Sequence, residues 1–455
     1  MIFLVYNKEI FIYLFNNFFN SKIKIYNSKN QKIEILLMKT LIKNVYLRGK
    51  TVDVLIEENR FKKIDENIEE EADKIIDGKG KAIEPAFYNC HTHISMTILK
   101  GLGDDKELHD WLIHDIWPRE AKMIPEDIYY ASKFAILEMI KGGTVFCNDM
   151  YQYGEETMRA IDEMGIRGVV SKPEIDIPTP ELLEKKKKIV LDFVDYKNIN
   201  ENRIIKGMSC HAVYTVSDNF LQFYSDIARK HNMPIHIHAC ETKGEVENCM
   251  KKHGCTPIEH LEKFGLLTEK TILAHCVHLS DNDIQIIKKH NTKIAHCPAS
   301  NFKLKSGLMA FQKLINAGVL VTLGTDGSAS NNSLGMLEEM KVCALNAKTQ
   351  ANSSKAGNVN DIYKTATVNG AKAFGIDAGV IEEGKIADFL LYDLNHYLLL
   401  PNFNLISNII YSGQNECITD VFCDGKQIMC NRKVENEEKI IEDFIKLSEK
   451  YKNIK

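Results

Sequence analysis

The stretch KAIEPAFYNCHTH, residues 81–93, decides how the fold is interpreted, because an apolar run ends there in two histidines one residue apart. Successive side chains of a β-strand point to opposite faces, so His91 and His93 would project the same way and could hold one metal ion. The alternative is a pair of imidazoles in a polar turn. A single His-x-His motif does not separate these interpretations, so the rest of the chain has to do so.

Seven further apolar runs follow and alternate with helix-like segments. Continuous apolar strands that alternate with helices predict a parallel sheet covered on both faces, and eight such units predict an α/β fold of the (β/α)8 TIM-barrel type. An open doubly wound sheet is the alternative, but no Gly-x-Gly-x-x-Gly follows the first strand. The eight runs are PAFYNCHTH (85–93), GGTVFCNDM (142–150), IRGVVSKPEI (166–175), IIKGMSCHAVYT (204–215), MPIHIHACET (233–242), TILAHCVHLS (271–280), TKIAHCPASN (292–301) and GVLVTLGTDGSAS (318–330).

Short strand-like segments stand on both sides of these runs. Residues 38–84 and 375–435 contain Val/Ile/Tyr-rich stretches separated by turn sequences such as RGK and DGKGK. We therefore predict a small β-sandwich domain formed by both ends of the chain. The barrel is predicted over residues 85–374, and a C-terminal helix over residues 436–455.

The first 37 residues are apolar and aromatic, but Lys8, Glu9 and several asparagines interrupt them. They contain no uninterrupted span of about 20 apolar residues and no cleavable signal pattern. We therefore predict no membrane span. Because a clear alternating pattern begins only at Met38, we expect residues 1–37 to be an extension that is disordered or not part of the native fold.

Composition restricts the classes of function. The chain has 455 residues, 44% of them hydrophobic, and a formal net charge of −4, which is ordinary for a globular protein and gives no reason to expect nucleic acid as a partner. Its twelve cysteines lie in apolar or strand-like contexts without the dense spacing of a small secreted scaffold. We expect reduced thiols and a cytoplasmic location.

Residues that can bind metals recur at the ends of the predicted strands. In a barrel these ends converge on one face, where catalytic groups lie. Ordinary core histidines would not select one end of strand after strand, so the sequence predicts a site for a borderline metal cation that accepts imidazole and carboxylate ligands. The residues are His91, His93, His211, His236, His238, Glu241, His275, His278, His296 and Asp326.

These motifs resemble those of the amidohydrolase superfamily, and most closely the 5-methylthioadenosine/S-adenosylhomocysteine deaminase family. HTH, the spaced H-A-C-E, AHCVH and GTDGSAS occur in family order, and the resemblance covers residues 38–435. It implies one Zn²⁺ per chain, with Fe²⁺ or Mn²⁺ as alternatives. It also implies the ligands, which are His91, His93, His238 and Asp326.

The resemblance further implies that Glu241 and His275 are the acid/base and water-orienting pair, and that His211 contacts the heterocycle. Three histidines and one carboxylate leave an open position for water, whose pKa zinc lowers towards about 7. Glu241 would protonate a ring nitrogen while the activated water attacks the adjacent amino-bearing carbon. Asp326 or His275 would then carry the water's proton to the leaving ammonia.

The segment of residues 96–123, after the first strand, is long enough to form a lid or a specificity wall. By resemblance, Trp111 would form an aromatic wall and Glu120 would accept hydrogen bonds from two ribose hydroxyls. A hydrophobic anchor of the lid is the alternative role for Trp111. Family members that use S-adenosylhomocysteine carry arginine on and near the third strand to bind the carboxylate of the amino acid. This chain has Lys172 there, which keeps the positive charge but cannot bind a carboxylate through two parallel hydrogen bonds.

We therefore expect a metal-dependent hydrolytic deaminase that converts an adenine nucleoside to its inosine analogue and ammonia. Candidate substrates are 5'-methylthioadenosine, S-adenosylhomocysteine, 5'-deoxyadenosine and adenosine. The alternatives are another mononuclear reaction, such as s-triazine hydrolysis, guanine deamination or cyclic-amide cleavage, and an inactive barrel that acts as a binding protein. Expected partners are the small-molecule nucleoside and further copies of the chain in a homo-oligomer.

Overall fold

The computed structural model describes residues 3–6, 10–13, 22–26, 32–36, 38–175 and 180–452. Four short strands precede Met38 and form two antiparallel pairs. The other residues of the segment 1–37 lie outside the described ones, so its exclusion from the native fold stays a prediction. The four strands are β1 (Phe3–Tyr6), β2 (Ile10–Tyr13), β3 (Lys22–Tyr26) and β4 (Lys32–Leu36).

The next five strands begin the accessory sheet. Arg48 and Gly49, which connect the first two of them, both have positive φ (49° and 90°), the turn geometry that matches the twist of an antiparallel pair. This explains why the sequence changes from an apolar run to RGK at that point. The strands are β5 (Lys39–Leu47), β6 (Lys50–Glu57), β7 (Arg60–Asp65), β8 (Lys74–Asp77) and β9 (Lys81–Pro85).

Eight parallel strands form the barrel and neighbour one another in sequence order. The last strand returns to the first, where the backbone N–H of Asp326 donates to the carbonyl of His91 (3.0 Å). The (β/α)8 prediction is confirmed, with one strand in each predicted run. The strands are β10 (Phe87–Thr92), β11 (Thr144–Met150), β12 (Arg167–Glu174), β13 (Ile204–Ala212), β14 (Ile235–Ala239), β15 (Thr271–His275), β16 (Lys293–His296) and β17 (Val321–Leu323).

The last four strands complete the accessory sheet, in the order β21-β20-β19-β18-β9-β5-β6-β7 with β8 beside β5. The sheet curls, because the rings of Phe61 on β7 and Phe389 on β18 lie 5.6 Å apart although three strands separate them in the sheet. A separate mixed sheet from both ends of the chain is thus confirmed, while its limits (38–84 and 375–435) remain proposed. The strands are β18 (Phe389–Asp393), β19 (Ile418–Cys423), β20 (Lys426–Cys430) and β21 (Lys433–Val434).

Helices cover the outside of the barrel and form part of the face at the carboxyl ends of its strands. None of the described helices is both long enough and apolar enough to cross a lipid bilayer. The α-helices are α1 (Leu108–Trp111), α2 (Trp117–Glu120), α3 (Pro125–Lys141), α4 (Gly154–Met164), α5 (Pro180–Asp195), α6 (Asp218–His231), α7 (Lys243–His253), α8 (Pro257–Lys263), α9 (Asp281–Lys289), α10 (Pro298–Lys303), α11 (Phe311–Ala317), α12 (Ser328–Asn331), α13 (Met336–Gln350), α14 (Val359–Ala366), α15 (Val368–Ala373), α16 (Leu405–Tyr411) and α17 (Glu437–Lys452).

The C-terminal helix α17 packs against α3, next to the lid segment. The rings of Phe134 and Phe444 stack with centroids 3.9 Å apart, and the Tyr451 hydroxyl donates to the carboxylate of Asp127 (2.6 Å). Tyr451 belongs to the same apolar cluster as Trp111 of the lid. The helix therefore supports the segment that covers the barrel face.

Candidate active site

A cavity of about 500 Å³ opens at the carboxyl ends of the barrel strands. His91 is fully buried, and its Nε2 lies 3.3 Å from Asp326 Oδ1. The structure thus brings the predicted site residues into one region. Those that line the cavity are His93, Trp111, Glu120, Lys172, His211, His238, Glu241, His275 and Asp326.

The imidazole nitrogens of the first and fifth strands surround one carboxylate oxygen. His93 Nε2 lies 3.2 Å from Asp326 Oδ1 and 3.3 Å from His238 Nε2, and His91 Nε2 lies 3.3 Å from the same Asp326 oxygen. Tetrahedral zinc with bonds of 2.0–2.2 Å separates its ligand atoms by about 3.3 Å. The spacing of these four side chains therefore suits a single ion of zinc's size.

His275 also reaches this cluster. The ligand atoms of His91, His238, His275 and Asp326 all lie within 4.8 Å of one another. His275 Nε2 is 3.8 Å from Glu241 Oε2, so this imidazole stands between the cluster and the glutamate. Such a position suits the acid/base and water-orienting role that the sequence suggested.

Backbone carbonyls orient two of the imidazoles. His93 Nδ1 lies 2.7 Å from the carbonyl oxygen of Met150, and His238 Nδ1 lies 2.7 Å from that of His211. A carbonyl only accepts, so each Nδ1 carries a proton and each Nε2 faces the cluster. In this orientation an imidazole binds a metal through Nε2.

His91 and His275 are oriented by side chains. His91 Nδ1 lies 2.8 Å from Nε2 of the buried His236, and His275 Nδ1 lies 2.9 Å from the amide oxygen of Asn301. The opposite atom, His91 Nε2, is buried and has no hydrogen-bond partner. An unsatisfied buried ring nitrogen is costly, and metal coordination would satisfy it, so the residues present fit a bound cation.

Asp326 is held with one oxygen towards the histidines. Its other oxygen, Oδ2, accepts hydrogen bonds from the hydroxyls of Ser300 (2.6 Å) and Ser330 (2.9 Å). Burial alone would raise its pKa, but the imidazoles of His91 and His93 beside it hold the pKa of Asp326 well below its usual range. The carboxylate is therefore ionised, as a metal ligand must be.

The imidazoles differ in charge. Burial lowers the pKa of His91 to about 3 and that of His238 well below its usual value, so both rings are neutral. Burial also opposes the charge on His93, but its hydrogen bond to Asp326 raises the pKa of His93 to about 9. The site thus stabilises one positive charge beside Asp326, which is what a bound cation requires.

Glu241 lies just beyond strand β14 and is buried. Its Oε1 accepts a hydrogen bond from the Ser306 hydroxyl (3.0 Å), and burial raises its pKa. Glu245, which the sequence analysis did not identify, accepts the backbone N–H groups of Cys240 (3.0 Å) and Glu241 (2.8 Å). Glu245 therefore holds in place the loop that carries Glu241.

Trp111 and Glu120 belong to one helical stretch, in which a π-helical turn, Leu112–Ile116, joins α1 to α2. The Trp111 ring is buried and its Nε1 donates to the carbonyl of Leu102 (3.3 Å), so it anchors the lid and also lines the cavity. Glu120 Oε1 accepts a hydrogen bond from the Tyr151 hydroxyl (2.6 Å). Tyr151 is a second residue that the sequence analysis missed.

His211 and Lys172 line the cavity from neighbouring strands. Burial lowers the pKa of His211 to about 3, so its ring is neutral, and its Nδ1 lies 3.2 Å from the hydroxyl of Thr215. Two residues beyond Lys172, Glu174 accepts a hydrogen bond from Lys186 (2.5 Å). This side of the cavity is therefore polar and carries charges of both signs.

Comparisons with known proteins agree with this geometry. The profile of the amidohydrolase family matches residues 82–428. A 5'-deoxyadenosine deaminase from Methanocaldococcus jannaschii is 41% identical over 88% of this chain and 97% of its own length. A 5-methylthioadenosine/S-adenosylhomocysteine deaminase from Thermococcus onnurineus is 40% identical over 87% of this chain and 95% of its own. A solved adenosine deaminase from Xanthomonas campestris with bound zinc has a TM-score of 0.84 and 28% identity, and covers 91% of this chain and 98% of its own.

The contact between His91 and His236 generates a prediction about metal affinity. Replacement His236→Phe removes the side chain that orients His91, and we expect the affinity for Zn²⁺ to fall by about 10–100-fold. Competition with a chromogenic chelator measures this change. The matched control is His296→Phe, because His296 is an equally buried strand-end histidine that contacts Asn346 instead (3.3 Å). Equal affinities of the wild type and His236→Phe would contradict the orienting role.

Proposed function

Because the chain belongs to the amidohydrolase family, we propose that it is a metal-dependent deaminase that hydrolyses the exocyclic amine of an adenine nucleoside, giving the inosine analogue and ammonia. One observation carries this proposal. A single cavity joins the His/Asp cluster and the buried Glu241 to a second carboxylate, Glu120. Relatives about 40% identical over most of the chain are named as deaminases of such nucleosides.

We propose that His91, His93, His238 and Asp326 hold one metal ion, with zinc preferred over iron or manganese. The Nε2 atoms of His93 and His238, which face the cluster, and the ionised Asp326 support this assignment. A zinc-bound relative of the same fold supports the choice of metal. The ion, when bound, lowers the pKa of a water molecule and so supplies the nucleophile.

The protein's own groups move the protons. We propose that Glu241, whose pKa burial raises, enters the reaction protonated and gives its proton to a ring nitrogen of the substrate. The carbon that bears the amine then becomes electrophilic. His275 is held through its Nδ1 by Asn301, and its Nε2 lies 3.8 Å from Glu241, where it would orient the attacking water. Asp326 or His275 would accept one proton of the water and pass it to the leaving ammonia, and the second water proton would return to Glu241.

The rest of the cavity would bind the nucleoside. We propose that Trp111 forms the apolar wall, His211 contacts the heterocycle and Glu120 accepts hydrogen bonds from the ribose hydroxyls. Lys172 would lie near the 5' substituent. Because Lys172 lacks the planar fork that binds a carboxylate bidentately, we expect 5'-deoxyadenosine, 5'-methylthioadenosine and adenosine to be better substrates than S-adenosylhomocysteine.

A cytoplasmic location and a homo-oligomeric state complete the proposal. All twelve cysteines are free thiols, and ten of them are buried, which suits a reducing compartment. The oligomeric state rests on the family resemblance, and size-exclusion chromatography with light scattering measures it.

Ammonia release from a substrate panel tests the proposed reaction. The purified protein, with its metal quantified, is assayed with 5'-deoxyadenosine, 5'-methylthioadenosine, adenosine, S-adenosylhomocysteine, guanine and cytosine. We expect one metal ion at the active site and turnover of the adenine nucleosides, with S-adenosylhomocysteine the slowest of them. Ammonia from guanine or cytosine alone would reject the adenine nucleoside as the substrate class. If the protein binds metal but releases ammonia from none of these compounds, the result would indicate hydrolysis of a substrate that carries no amine.

Glu241 is tested by Glu241→Gln, which keeps the shape of the side chain but removes the transferable proton. We expect kcat to fall by at least about 100-fold while the metal content stays the same. The control is Glu247→Gln, an exposed carboxylate on α7 that pairs only with Lys243 (3.4 Å) among the described residues. Unchanged turnover of Glu241→Gln would remove Glu241 from the mechanism.

Glu120 is tested by its effect on discrimination between nucleosides with and without ribose hydroxyls. We expect the wild type to prefer adenosine to 2',3'-dideoxyadenosine by about 100-fold in kcat/KM, because hydrogen bonds to a carboxylate contribute about 1.5–3 kcal/mol each. In Glu120→Ala this preference should disappear. Glu174→Ala is the control, because Glu174 lines the same cavity but is already paired with Lys186. Retained discrimination in Glu120→Ala would contradict the assignment.

A further inference from the structure

We propose that Asp218, His253 and His260 form a second binding site, for a divalent transition-metal ion such as Zn²⁺. The three side chains come from three different helices, since Asp218 begins α6, His253 ends α7 and His260 lies on α8. None of them lines the active-site cavity. The site is therefore separate from the one that would perform the reaction.

The distances within this cluster are close to those of a metal site. His260 Nε2 lies 3.0 Å from Asp218 Oδ1, and His253 Nδ1 lies 4.0 Å from the same oxygen. One ligand atom from each residue lies within 4.8 Å of the others. Zinc would separate its ligands by about 3.3 Å, so the first pair is already in place and His253 has to approach by about 0.7 Å.

A structural hydrogen bond explains only part of the arrangement. It accounts for His260, which is buried and bonded to Asp218. It does not account for His253, whose ring lies with its centroid 4.0 Å from that of His260. Within the described part of the chain, the ion-pair and ring contacts of His253 are with this second imidazole and the more distant Asp218 oxygen. Two imidazoles directed at one carboxylate are a set of ligands that borderline cations prefer.

Cys255 would orient one of the ligands. Its Sγ lies 3.8 Å from His260 Nδ1, on the side of the ring away from Asp218. An ion would take the place of the Nε2 proton that is directed at Asp218, and Nδ1 would then carry the ring proton and donate to the sulfur. The Asp218 side chain is 49% exposed, so an ion can enter from solvent. Once bound, the ion would connect the start of α6 to the end of α7 and to α8.

Metal stoichiometry of matched variants tests the second site. The tag-free holoenzyme is equilibrated with Zn²⁺, separated from free metal and analysed by mass spectrometry for zinc per chain. We expect two ions in the wild type and one in His253→Gln or Asp218→Asn, with deaminase activity unchanged in both variants. Both substitutions are at partly exposed side chains (15% and 49%), so folding should be retained.

The control is His290→Gln, because His290 pairs with Glu262 (2.8 Å) on the surface but belongs to no metal-ligand cluster among the described residues. It should keep both ions. Equal zinc content in the wild type and His253→Gln would overturn the proposal, as would loss of the ion from His290→Gln. Because the test is the difference of one ion between matched proteins, it holds whichever metal the active site carries.

A second readout follows from binding linkage. Zinc beyond the first equivalent should raise the melting temperature of the wild type and of His290→Gln, because an ion that binds only the folded state stabilises it. The same addition should leave the melting temperature of His253→Gln unchanged. An equal rise in all three proteins would show that zinc acts elsewhere, and would reject the site.

Discussion

The site depends on the register of the parallel barrel strands. Each of two proposed metal ligands is fixed by a backbone carbonyl at the end of a neighbouring strand, Met150 on β11 for His93 and His211 on β13 for His238. Strand pairing therefore determines which nitrogen carries the proton and which faces the cluster. A slip of one residue in the pairing of this strand would turn both His91 and His93 to the opposite face. The site would then lose both ligands.

Much of this architecture could be predicted from the sequence, because it follows from local periodicity. The eight apolar runs gave the strands, and the spacing of His91 and His93 placed both imidazoles on one face. The partners of the site residues could not be predicted in the same way. Ser300 and Ser330 hold Asp326, and Tyr151 holds Glu120, through contacts between different strands and loops. Such contacts depend on tertiary packing, which no local pattern in the chain encodes.

Electrostatics separates the roles of two buried carboxylates in the same cavity. Imidazoles lie beside Asp326 and keep its pKa well below the usual range, whereas burial raises the pKa of Glu241. One carboxylate is thus ionised and suited to a cation, and the other is suited to donate a proton. Pairs of titratable groups whose environments move their pKa values apart are typical of acid/base catalysis.

The two ends of the cavity are built from different parts of the fold. The reacting end is formed by strand ends and is fixed by the barrel itself. The other end is formed by the lid, with Trp111 and Glu120, and by the third strand, with Lys172. Lid and loop residues can change without disturbing strand pairing. The relatives carry names that share the deamination of an adenosine and differ in the 5' group, and the role proposed for Lys172 near the 5' substituent would set that preference in this chain.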